Sequence, residues 1–62
     1  MTRELVDIAC RVVVETDKAY CIHDGTKEVW LPKSLVEWHQ TPGKAFGIMV
    51  IPYFLAHERG LI

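Results

Sequence analysis

From Leu5 to Val14 the chain alternates: Val6, Ile8, Cys10, Val12 and Val14 occupy every second position, with Asp7, Ala9, Arg11 and Val13 between them. A period of two, rich in β-branched residues, predicts a strand with those five side chains on one face. The polar stretch Glu15-Thr16-Asp17-Lys18 reads as a tight turn, and Ala19-Tyr20-Cys21-Ile22 as the returning strand of a hairpin. Asp24-Gly25 marks the next turn, because both residues tolerate the positive φ that a two-residue hairpin loop requires. Lys27 to Leu31 is the third predicted strand. Pro32, which has no N–H to give to a sheet ladder, ends it.

Lys33-Ser34 then reads as a short turn of 3₁₀ type, and Leu35-Val36-Glu37-Trp38 as a fourth strand. A helix capped by Ser34 is the competing assignment. Gln40-Thr41-Pro42-Gly43 is a loop. Lys44 to Ile51 forms the last strand, with Ala45, Gly47, Met49 and Ile51 on one face and Phe46, Ile48 and Val50 on the other. Both of its faces are apolar, so each is expected to be covered. The tail offers a cover: Pro52 as a first helical residue, Tyr53 to Arg59 as two helical turns, and Gly60 as a left-handed stop. Leu61 and Ile62 are expected to fold back on the helix or sheet. The expected architecture is one small, mainly β domain over 1–62, built from about five strands and a short C-terminal helix. Its strands would form a bent antiparallel sheet or a partly open barrel of the SH3-like or OB-like kind.

Length sharpens the functional expectation. A chain of 62 residues buries only about 60% of the surface that its unfolded form exposes, which leaves no room for a deep cofactor cleft. Seven Lys and Arg against eight Asp and Glu give a net charge of -1, with the signs interleaved. Binding to nucleic acid draws on neutralised phosphates, so it would need a local basic cluster, for which Lys18, Lys27, Lys33 and Lys44 are the candidates. Cys10 and Cys21 lie in apolar runs without CxxC spacing and are expected to be free, buried thiols; a cross-strand disulfide is the alternative. Met1-Thr-Arg-Glu lacks the apolar core of a signal peptide and no run is long enough to span a bilayer, so a cytoplasmic protein is expected.

Catalytic chemistry has little to build on. His23-Asp24 and His57-Glu58 are adjacent in sequence, and neighbours on a strand point to opposite faces. Ser34 is the only serine and lacks a glycine-flanked elbow. Cys21 and His23, two apart, could share a face with Cys10 from the neighbouring strand, but a fourth zinc ligand has no source. No enzyme activity, cofactor or metal is therefore expected. The tryptophans carry more weight. Trp30, between Val29 and Leu31, is expected in the core; Trp38, among Glu37, His39 and Gln40, is expected at the surface. An exposed Trp ringed by polar groups is the composition of a protein-binding hot spot. The expected partner-binding residues are Trp38, Lys33, Glu37 and Trp30, joined by Tyr53 and His57 of the apolar tail. That tail, or an unpaired strand edge, could also seal a homodimer.

Lys18-Ala19 with Asp24-Gly25, then Glu28-Val29-Trp30-Leu31-Pro32-Lys33-Ser34, and finally Ile51-Pro52-Tyr53-Phe54-Leu55-Ala56 with Gly60-Leu61-Ile62, resemble a group of very small bacteriophage and prophage proteins. The resemblance spans most of the chain from Lys18 onward. It implies a protein that binds and inhibits or modulates a larger host complex by occupying a surface, an anti-CRISPR-type inhibitor of a CRISPR effector being one such role. It assigns no site residue. Two other roles stay open: a nucleic-acid-binding accessory protein of phage recombination or replication, using Lys18, Lys27, Lys33 and aromatic groups, and a small structural subunit or homodimer.

Overall fold

The structure is a computed structural model that describes residues 4–62. Five strands, β1 (Leu5–Glu15), β2 (Ala19–His23), β3 (Glu28–Pro32), β4 (Glu37–Gln40) and β5 (Phe46–Pro52), form one open antiparallel sheet in the order β3-β2-β1-β5-β4. A 3₁₀ turn, η1 (Lys33–Leu35), joins β3 to β4, and a single helix, α1 (Tyr53–Glu58), follows β5. The mainly β architecture is the expected one, in its open-sheet form.

β1 is long enough to serve two partners. Its first part, Leu5 to Arg11, pairs with β5, and its last part, Arg11 to Glu15, pairs with β2. The sheet therefore has two wings, β3-β2-β1 and β1-β5-β4, which share this strand. Their inward side chains meet in one core: Ile22, Val29 and Leu31 from the first wing, Ile8, Cys10, Met49 and Ile51 from the second, and Leu55 and Ala56 from α1.

A β-bulge breaks the alternation of β1. Val12 pairs with Ile22 and Val14 with Cys21, which leaves Val13 as an extra residue. One added residue reverses the facing of everything beyond it. Val14, expected on the face of Val6 and Ile8, is thus exposed on the opposite side. The β2–β3 turn is also longer than two residues. Asp24 Oδ1 accepts the N–H groups of Thr26 and Lys27, both at 2.9 Å, and Gly25 supplies the positive φ of 102°. Captured in this way, Lys27 stays in the turn and β3 starts at Glu28. Leu35 belongs to η1, so β4 starts at Glu37, two residues later than the pattern suggests, and no helix forms after Ser34.

Gly47 is fixed by contact with β4. A β-carbon there would run into the carbonyl of His39 and lie 2.7 Å from Gln40 Cα. Only glycine lets the two backbones approach so closely.

Pro52 ends β5 and flanks α1 from outside, with ψ 139°, instead of opening the helix as its first residue. The helix stops where expected. Gly60 takes φ 72°, its N–H donates to His57 O at 3.1 Å, and the Leu61 N–H donates to Ala56 O at 2.8 Å. This is the Schellman arrangement, with Leu61 packed back on the core. Lys27 Nζ donates to Gly60 O at 2.7 Å and Arg59 Nε to Trp30 O at 3.3 Å, which ties the end of the tail to the β2–β3 side. The tail covers the inner side of the sheet alone. The outer face of β5, expected to be covered, leaves Phe46 53% and Ile48 36% exposed.

Candidate protein-binding surface

The pairing register decides which side chains share the outer side of the β3-β2-β1 wing. Trp30 stands opposite Cys21, Cys21 opposite Val14, and Pro32 opposite Ala19. Residues paired across an antiparallel ladder lie on one face, so these five form a small apolar field. Val29 and Leu31 point into the core. Trp30 is therefore turned outward and is 50% exposed, the reverse of its expected core position. Flanking residues in a strand face the other way, so apolar neighbours on both sides exclude a Trp from the core they fill.

Trp38 is reversed as well. It pairs with Met49, which is fully buried, and its half-buried ring packs against the core. Its polar neighbours Glu37 and His39 lie on the outer face, where His39 Nε2 and Glu37 Oε1 are 2.8 Å apart. The expected anchor at Trp38 thus becomes a structural residue, and Trp30 takes its place at the surface.

A shallow groove of about 520 Å³ adjoins Pro32 at the end of this field, lined by Asp17, Lys18, Pro32, Lys33 and Ser34. The β1–β2 turn and the start of η1 are joined there by the Lys33 N–H donating to Lys18 O at 2.8 Å. The Lys33 ammonium lies 2.6 Å from Glu15 Oε2 and 4.9 Å above the Tyr20 ring. The Glu15 hydrogen bond holds the Lys33 pKa above its ordinary value. Lys33 is thus held in place, and Lys18 and Ser34 supply polar contacts beside the apolar anchor.

The remaining expected residues fall elsewhere. Tyr53 and His57 stack on α1, with ring centroids 6.0 Å apart, and both are exposed. Glu37 is exposed on β4, in the other wing. The four lysines do not gather: Lys18 and Lys33 lie at the β1–β2 turn, Lys27 lies in the β2–β3 connection at the other end of that wing, and Lys44 lies in the β4–β5 connection of the other wing. Cys10 faces the core while Cys21 and His23 face outward, so no disulfide or shared ligand set forms from them; both thiols are free, and burial raises the pKa of each. Among the described residues no group of three or more His, Cys, Asp or Glu side chains could hold a metal ion. His23 and Asp24 both serve their turn, His23 Nδ1 accepting the Gly25 N–H at 3.0 Å.

Sequence reasoning missed Val14 and Cys21 as members of the outer field. Nothing local marks the bulge that places them there. Compared with models of protein families, with curated proteins and with solved structures, the chain matches none. No helix among the described residues is long and apolar enough to cross a membrane.

Proposed function

We propose that this chain is a non-enzymatic, phage-type binding protein that acts in the bacterial cytoplasm by occupying the surface of a host protein complex, a CRISPR effector being the target class that the sequence resemblance favours. The observation that carries the reading is Trp30. It is a large aromatic side chain, half exposed, carried on a paired strand and flanked by Cys21 across the ladder and by Pro32, which adjoins the polar groove. A fixed aromatic anchor with a polar rim is what a protein hot spot needs, since little conformational freedom is lost on binding. Tyr53 and His57 offer a second, separate contact on α1.

The test is affinity capture from host lysate with the wild-type chain and Trp30→Ala side by side, followed by mass spectrometry and titration of the captured complex. A stoichiometric protein retained by the wild type and weakened by about 2 kcal/mol or more in the variant supports the reading. Equal capture by both would remove Trp30 as the anchor. Retention on single-stranded DNA at physiological salt, with a steep salt slope, would favour the nucleic-acid reading instead. The separation of Lys27 and Lys44 from Lys18 and Lys33, by sheet end and by wing respectively, weighs against that alternative.

A further inference from the structure

We propose that two copies of this chain pair face to face through the outer side of the β1-β5-β4 wing. This goes beyond the partner-binding reading, because it uses the opposite wing from Trp30. On this side β1 presents Leu5, Asp7, Ala9 and Arg11; β5 presents Phe46, Ile48 and Val50; and β4 presents Glu37 and His39. Among the described residues nothing covers Phe46 and Ile48 of the apolar β5 stripe, and an exposed apolar strip on a paired sheet is an interface signal.

The charges select the occupant. The row Ala9–Ile48–His39 crosses the middle of the wing. Asp7 lies two residues to one side of that row on β1 and Arg11 two residues to the other, both exposed, and neither takes part in an ion pair among the described residues. A two-fold axis along the row stacks the second copy with its strands reversed. Asp7 then lies over Arg11 of the second copy, and Arg11 over Asp7. Phe46 meets Val50, Ile48 meets its own equivalent, and the small Ala9 lets the two central strands approach. The face is therefore complementary to itself in charge and in apolar pattern, as an isologous interface requires. Sheets stacked with closely aligned strands are a standard packing. Such a dimer leaves both Trp30 fields free and doubles the valency toward a partner.

Analytical ultracentrifugation over a range of concentrations tests this. The wild type is expected to be dimeric and Ile48→Arg, which sets two like charges on the axis, monomeric. Arg11→Asp and Asp7→Arg are each expected to weaken dimerisation about tenfold, because two attractive pairs per dimer become repulsive. Mixed in equal amounts, these two single variants should pair with each other, and the double variant Asp7→Arg/Arg11→Asp should recover the wild-type dimer. Both positions are exposed, so each variant is expected to fold, and circular dichroism of each variant checks this. A wild type that stays monomeric to about millimolar concentration overturns the proposal, as does a mixture of the two charge variants that fails to associate. Capture of a host protein through Trp30 is measured separately, so either result can stand without the other.

Discussion

The two edge strands each carry one tryptophan, and the two rings have opposite fates. On β3, Trp30 sits between Val29 and Leu31 and points outward; on β4, Trp38 sits between Glu37 and His39 and points inward. Local company suggests the reverse for both. A strand offers each face only alternate positions, so a residue's neighbours describe the face it does not occupy. For an edge strand one partner strand sets the facing. Ile22 pairs with Val29 and commits β3, and Met49 pairs with Trp38 and commits β4.

The largest expected disturbance of this contrast comes from Gly47→Ala. Its new methyl group meets backbone on β4, which cannot rotate aside, so a loss of about 3 kcal/mol is expected in chemical denaturation, with Trp38 fluorescence shifting toward that of a solvated ring. Trp38→Ala comes next. Removing a half-buried ring from the core should lower stability by about 2 kcal/mol, read from the same denaturation midpoint.

Trp30→Ala should cost less, about 1 kcal/mol, because half of the ring already lies in water. It carries a more specific signature. Cys21 is 3% exposed yet lies outside the inner core, on the face it shares with Trp30 and Val14. Thiol labelling at Cys21 should accelerate in Trp30→Ala, while Trp38→Ala should leave that site slow under native conditions. Equal rates at Cys21 in both variants would contradict the assignment of the two rings to opposite faces.

The smallest effect is electrostatic and lies in the turn that leads into β3. The N–H groups of Lys27 and Thr26 hold the Asp24 carboxyl below its ordinary pKa. A depressed folded value means that this carboxylate stabilises the fold above its unfolded pKa of about 3.9 and stops doing so as the pH falls through the folded value. Asp24→Asn should therefore lower stability in the neutral region and flatten the acid limb, the two proteins converging at pH values below the folded pKa. An acid limb identical to that of the wild type would show that Asp24 contributes nothing there.

The polar turns, the proline stop after Leu31, the glycine stop at Gly60 and the two-sided apolar pattern of β5 were all legible along the chain. Each depends on backbone conformations that a residue and its near neighbours impose. The same holds for Phe46 and Ile48, whose apolar face was evident although its exposure among the described residues was not. The bulge at Val13, the inward turn of Trp38 and the separation of the four lysines were set by pairing between distant segments. Face and register are properties of two strands at once: a one-residue shift in β1 moves Val14 from core to surface without changing the composition or the local propensity of the segment. Sequence alone therefore determined which segments are strands, turns and helix. Tertiary pairing decided which ring is buried and which meets solvent, because burial is shared between strands that the chain brings together only on folding.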